Sequence, residues 1–266
     1  MPPPSGTAPA RHDDDQGAAG ARAWLSACWR DVLGLVLPLW CAGCAAPDVV
    51  VCARCRECLA GPLRRVEHGA PRLDRADGTR LAVWAPAVYR GVVRELVVSW
   101  KDRGRADVDG LLVGVAREAG RALARDAGPR AAPWWVVPVP SSRAATARRG
   151  REPVALLAAG LARGLREAGA DASVVRVLRS AGLRRDQVGL GQRARARNVA
   201  GTLRLRPGGL AHAARRVPAG LAPQVLLIDD VVTTGATLEA ARSLLETVAL
   251  RPLGAFAVAA TPAPRP

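Results

Sequence analysis

Hydrophobic positions change their period along this chain, and the changes mark out strands and helices. Val225, Leu226, Leu227 and Ile228 form an unbroken apolar run, the pattern of a strand covered on both faces. Trp134 to Val139, WWVVPV, predicts an early central strand, Val174 to Leu178 another, and LAVWAPAVY from Leu81 a short one. Elsewhere the period is helical. In RGVVRELVVSWKDRGR the apolar residues fall at 92, 93, 96, 97 and 100, which is helix spacing. Further helices are predicted over Val108 to Arg125, over the stretch running to Ala168, and over LEAARSLLETVA after Thr237. The expected class is α/β, a parallel sheet flanked by helices.

Other stretches lack such periods. Residues 1 to 23 combine PPPSGTAPA, an acidic cluster at Asp13, Asp14 and Asp15, and AAGARA, the composition of a disordered tail. Trp24 to Trp40 is apolar, but Arg30 and Asp31 interrupt it and Pro38 ends it, so a short packed helix is expected rather than a membrane span. Gly61 to Thr79 is rich in Pro, Gly and charge and reads as a boundary. The expected division is a tail over 1–23, a helix and metal-binding module over 24–60, a linker over 61–80 and an α/β domain over 81–266. No basic n-region opens the chain, so the expectation is a soluble, cytoplasmic protein rather than a secreted one. At 266 residues and 49% hydrophobic, the chain can bury a substantial core.

The candidate chemistry begins where the strand at 225–228 ends. Asp229 and Asp230 follow it directly, at the carboxyl end where open α/β sheets place ligands. Thr233, Thr234, Gly235, Ala236 and Thr237 then lead into a helix, whose first N–H groups suit a phosphate. Carboxylates aimed at that phosphate would repel it. The economical arrangement points them at neutral hydroxyls or at a divalent metal, so a sugar phosphate fits both halves. A plain strand, turn and capped helix is the alternative.

Five of the six cysteines lie between residues 41 and 58. Cys41 and Cys44 form one CxxC unit, Cys52 and Cys55 another, and Cys58 follows. Two such units supply four thiolates for structural Zn2+ in a reducing compartment. Only seven residues separate Cys44 from Cys52, so the knuckles are joined by little more than a turn. Cys58 is an alternative to Cys55 as ligand, and a disulfide cluster or iron–sulfur site is the competing chemistry.

Formal charge is +16, and of 39 basic residues only Lys101 is lysine. Such charge attracts polyanions, either nucleic acid or a pyrophosphate-bearing substrate. Lys101, Arg103 and Arg105 close a predicted helix, where they complement its dipole or face a substrate. After Val139 comes Pro140-Ser141-Ser142-Arg143 and a basic run that includes Arg148 and Arg149. Between later strands lies SAGLRRDQVGLGQRARARNVAG, with Arg184, Arg185, Arg193, Arg195 and Arg197. This long, basic, glycine-punctuated loop reads as a lid over a polyphosphate or a contact for nucleic acid.

Val225 to Thr237, four apolar residues, two acids, two apolar residues and TTGxT, resembles the 5-phosphoribosyl 1-pyrophosphate (PRPP) motif of type I phosphoribosyltransferases. The resemblance implies that Asp229 and Asp230 contact the ribose 2′- and 3′-hydroxyls and that Thr233 to Thr237 hold the 5′-phosphate. It gives pyrophosphate to Ser141, Ser142 and Arg143, with Mg2+ and lid arginines such as Arg185 and Arg193 assisting. The whole order is similar to the ComF family, competence protein F, which joins a zinc ribbon to a phosphoribosyltransferase-type domain. The similarity runs from about Leu33 to Thr261 and includes both CxxC units, YRGVVRELVVSWKDRG, VVPVPSS, DQVGLGQRARARNVAG and VLLIDDVVTTGATLEAA. It implies a glycosyltransferase-class enzyme of nucleotide metabolism with an unassigned acceptor, whose hood is built from residues 81–105 and the zinc module. The alternatives within the same likeness are a competence factor binding single-stranded DNA and a PRPP-responsive regulator. Two departures stand out. The family often reads RGFNQ where this chain has Arg149-Gly150-Arg151-Glu152-Pro153, and no cysteine follows Cys58, so one zinc is expected rather than two.

Overall fold

The computed structural model describes residues 39–128, 132–140, 150–181, 203–215, 217–218 and 220–263. Its strands are β1 (Arg64–Arg65), β2 (Ala82–Ala85), β3 (Ala87–Val88), β4 (Trp134–Pro138), β5 (Ala172–Val174), β6 (Leu178–Ser180), β7 (Leu203–Leu205), β8 (Gln224–Val232) and β9 (Pro252–Ala260). The helices are α1 (Ala53–Glu57), α2 (Gly91–Lys101), α3 (Asp109–Ala127), α4 (Pro153–Glu167), α5 (Gly209–Ala214) and α6 (Ala236–Glu246).

The apolar run at 225–228 lies at the centre of the sheet. Strand order is β1-β2-β9-β8-β4-β5, with β3 also paired to β9. Every pairing is parallel except β1 with β2. Both neighbours of β8 are full partners, β4 in register from Trp134↔Gln224 to Pro138↔Ile228 and β9 from Val225↔Pro252 to Val232↔Ala260. This position explains the unbroken hydrophobicity of β8, since each face of an internal parallel strand is covered by helices.

Alternation along β8 distributes its side chains between two cores. Leu226 and Ile228 pack with Phe256, Val258, Leu96, Trp100, Leu112, Leu157 and Leu161, so that face is covered by α2, α3 and α4. Val225 and Leu227 pack with Ala255, Ala257, Leu238, Ala241, Leu245 and Leu73, the face covered by α6. Val66, Ala70 and Leu73 seat the stretch after Arg65 against this second core, while Leu63 packs against the first. Arg64 and Arg65 join the sheet edge, buried Glu67 accepts the Val83 amide at 3.1 Å, and Arg75 reaches Glu239 at 2.6 Å and Glu246 at 2.7 Å on α6.

The strand expected over Val174 to Leu178 divides into β5 and β6. Val175 still donates to the Val136 carbonyl at 2.9 Å, but Val177 accepts from the Arg206 amide at 2.7 Å. The chain therefore leaves the main sheet to form an antiparallel pair of β6 with β7. The packed helix expected within 24–40 falls mostly outside the described residues. No helix among the described residues is long and apolar enough to cross a membrane.

Helices α3 and α4 approach so closely that glycine is required between them. A Cβ on Gly164 would lie 1.9 Å from the Arg117 carbonyl oxygen, and one on Gly120 2.2 Å from that of Leu161. We expect Gly164→Ala to destabilise the protein by about 1–3 kcal/mol through overpacking, read as a lower urea midpoint with unchanged zinc content. A midpoint equal to wild type would show that the helices can separate at no cost.

Candidate functional site

Asp229 and Asp230 occupy the carboxyl-terminal part of β8 and project toward different faces. Asp230 follows Leu226 and Ile228 onto the α2 face and is 2% exposed. A carboxylate in that position requires a counter-charge, and the Lys101 ammonium at the end of α2 forms an ion pair with its Oδ2. Its Oδ1 accepts the Val231 amide at 2.8 Å. Asp229 is half-buried, and its Oδ1 accepts the Asp230 amide at 2.8 Å.

These surroundings separate the protonation behaviour of the groups. Burial first, and the Asp230 charge next, push the Asp229 carboxyl up to about 8, with Lys101 opposing. Burial by itself would lower the Lys101 ammonium, but the charges of Asp230 and then Asp229 outweigh it and raise Lys101 above the ordinary lysine range. Lys101 is therefore a fixed cation at neutral pH rather than an amine nucleophile. Half-buried Tyr89 lies in the same field. Burial raises its phenol, the Asp230 charge adds to the rise, and Arg94 opposes it.

Beyond Val232 the chain turns sharply into α6. Gly235 adopts φ 81°, the left-handed region, and stands as N-cap without a side-chain cap bond. Glycine is needed for a second reason, because a Cβ there would lie 2.5 Å from Leu73 Cγ. The loop is fixed from outside by the Arg72 amide donating to the Thr234 carbonyl at 2.9 Å and by Thr261 Oγ1 donating to Thr233 O at 3.2 Å. Thr233 and Thr234 are exposed beside the acid pair in sequence. The first amide of this eleven-residue helix, that of Ala236, donates to Thr234 Oγ1 at 3.4 Å, and the next amides of the first turn, with the hydroxyls at its mouth, offer donors to an anion.

The Cys41, Cys44, Cys52 and Cys55 sulfurs all lie within 4.8 Å of one another. Tetrahedral zinc at ~2.3 Å from each sulfur needs thiolates roughly 3.8 Å apart, and Cys44 and Cys52 are 3.6 Å apart. The residues fit a structural Zn2+ site. The seven-residue link turns within itself, using left-handed Ala45 and Asp48, while the Cys41 amide donates to Ala46 O and the Ala42 amide to Val50 O. Burial opposes ionisation of Cys41, but the amides of Cys52, Cys44 and Gly43 outweigh it and bring the thiol down to about 6. Burial and the neighbouring thiols push Cys55 up, so full deprotonation of the four calls for a cation among them. Cys58 stands outside, its exposed Sγ donating to the Arg54 carbonyl at 3.3 Å.

Among residues expected to form the site, Asp229 and Asp230 at the end of β8 are continuous through the turn with Thr233 to Thr237 at the start of α6, and the four cysteines converge. Ser141, Ser142, Arg143, Arg185 and Arg193 lie outside the described residues. At the exit of β4, Val139 donates to Ile228 O at 2.8 Å, next to the acid pair in β8. Arg151 serves the scaffold: it pairs with Asp109, donates to Trp100 O at 2.5 Å and stacks 5.8 Å from the Trp100 ring. Lys101 was legible in sequence as the single lysine, closing a helix where it complements the dipole or faces a substrate, but not as the partner of Asp230. A compact ammonium suits a narrow buried carboxylate better than a planar guanidinium does. No known protein family matches the chain, and no curated protein is similar to it at a level that marks a relative.

Two outcomes follow from this geometry. Purified protein should carry about one zinc per chain, retained in Cys58→Ser and lost in Cys41→Ser with Cys44→Ser; metal analysis of the three proteins checks the ligand set. Asp229 holds its proton more tightly folded than unfolded, where it ionises near ~3.9. Stability should therefore decline as pH rises from ~4 toward ~8. Asp229→Asn should raise the urea midpoint at pH 7–8, with the gain vanishing near pH 4; a pH-independent difference would contradict the assignment.

Proposed function

We propose that this chain is a ComF-like, type I phosphoribosyltransferase-type protein that binds PRPP with Mg2+ and transfers or senses its phosphoribosyl group. The observation that carries the reading is the acid pair at the carboxyl end of a central parallel strand, continuous with a threonine-rich helix N-terminus whose N-cap, Gly235, supplies no side-chain bond. A ribose 5-phosphate unit satisfies both. Its 2′- and 3′-hydroxyls can donate to the acids, and its phosphate can accept from the N–H groups and hydroxyls of Thr233 to Thr237.

Asp229, with its raised affinity for a proton, suits a neutral sugar hydroxyl better than a free anion site. Lys101 already offsets the Asp230 charge, so a hard cation such as Mg2+, which prefers oxygen ligands, would be expected on the substrate's pyrophosphate rather than on Asp230. When bound, Mg2+ would spread the negative charge that builds on a leaving pyrophosphate. This chain's own contribution is to fix the ribose by two carboxylates and the phosphate by a rigid loop, so that C1 is presented in one orientation. Ser141, Ser142, Arg143, Arg185 and Arg193 are assigned to the pyrophosphate on the sequence resemblance alone. Helix α2 meets Asp230 through Lys101, and the assignment of an acceptor hood to residues 81–105 and the zinc module rests on the sequence resemblance.

Calorimetric titration with PRPP and Mg2+ tests the reading, run beside a zinc-loaded Asp229→Asn, Asp230→Asn protein. Saturable binding in wild type, lost in the double variant, is expected. A folded, zinc-loaded wild type that takes up no PRPP would overturn it. Steeply salt-dependent binding of single-stranded DNA in its place would move the function to nucleic acid.

A further inference from the structure

We infer that the four-cysteine knuckle is a positioning device for the acid pair, acting through α2 and Lys101. The contacts form a short chain. Cys55 is fully buried against the first core, and Gly43 is so close to both Cys55 and α2 that a Cβ there would lie 3.0 Å from Cys55 Sγ and 3.1 Å from Leu96 Cγ. Lys101 is straddled by two bonds to the knuckle backbone. Ser99, buried two positions before it, donates its hydroxyl to the Ala42 carbonyl at 3.0 Å. Arg105, four positions after it, donates to the Trp40 carbonyl at 3.0 Å. Arg103 adds a bond to Ser99 Oγ at 3.2 Å.

Ala42 and Trp40 flank Cys41, so the two accepting carbonyls belong to the segment that a metal would fix. A metal would tie the four sulfurs, which lie within 4.8 Å of one another, to one point; without it the segment at Trp40 to Ala42 is joined to the rest of the knuckle by turn hydrogen bonds such as Ala42 N to Val50 O at 2.9 Å and has reason to separate. Separation would carry Ala42 and Trp40 away from α2 and release the end of the helix. Arg151 holds Trp100 from the opposite side through its carbonyl and Asp109, which keeps α2 folded but leaves the Ser99 and Arg105 attachments to the knuckle. Metal in the knuckle thus fixes the ammonium that neutralises Asp230. This concerns Lys101 and the acids whatever they bind; its consequence for PRPP rests on the function proposed above.

The chain contains a single lysine, so lysine labelling with 15N and 13C gives one side-chain resonance that reports the ion pair directly. In zinc-loaded protein this signal should be displaced from that of free lysine, and Asp230→Asn, zinc retained, defines the unpaired position. Chelation to a zinc-free but folded state should move the wild-type signal to that position, and zinc should restore it. Ser99→Ala, which keeps all four ligands, should shift it part of the way in zinc-loaded protein and covers the case in which the zinc-free chain unfolds. A Lys101 signal unmoved by Ser99→Ala, or by confirmed zinc loss in folded protein, overturns the inference. Where PRPP binds, zinc removal should weaken it roughly tenfold or more, the loss of a charge-assisted contact. A protein that never binds PRPP but loses the lysine shift with zinc would refute the proposed function and leave this coupling standing.

Discussion

A carboxylate buried at the end of a parallel strand cannot remain charged without a cation, and Asp230 obtains one from Lys101. Much of the architecture can be traced from that pair. Lys101 ends α2, so α2 must run along the sheet until its last residue reaches the end of β8. Trp100 is buried beneath it and donates to Asp109 at 2.5 Å, which Arg151 also engages. The knuckle grips the same helix from outside. Breaking a buried pair of this kind leaves an uncompensated charge, which costs far more than the pair contributes. Its surroundings are accordingly built to keep both partners in place.

Asp229 stands in the opposite situation. No ion pair within the described residues compensates it, and its proton affinity rises through burial and through its neighbour. An acid held there costs the fold at neutral pH what an apolar residue at the same position of β8 would not. Proteins break local rules of this kind where a ligand supplies what the fold withholds. The Thr233 to Thr237 turn has the same character. Gly235 is both left-handed and pressed against Leu73, so the turn is held in place while its helix N-terminus carries only the 3.4 Å bond from the Ala236 amide to Thr234 Oγ1.

The metal knuckle is small because the chain supplies its curvature within seven residues, with Ala45 and Asp48 in left-handed conformations. It is nevertheless no isolated appendage. Cys41, Ala42, Val51, Cys55 and Leu59 belong to the same hydrophobic cluster as Leu96 and Trp100. Cys58 misses the cluster because α1 ends at Glu57 and turns its sulfur back toward Arg54.

Local pattern by itself determined the strands at β4 and β8, the helices α2, α3, α4 and α6, the acid pair followed by a glycine turn, and the two CxxC units. Each is a property of neighbours in sequence: periodicity, strand–turn order or ligand spacing. The tertiary structure decided what depends on distant partners. Alternation could place Asp230 on one face of β8, but only packing could bring the lone lysine to that face, since Lys101 and Asp230 are far apart in sequence. The composition of 61–80 reads as loop, and its role as the seat of Gly235 emerges only when Leu73 meets α6. Val174 to Leu178 reads as one strand, and Val177's bond to Arg206 divides it. Alanine-rich β9 carried little strand preference of its own, and its place between β8 and β2 made it one.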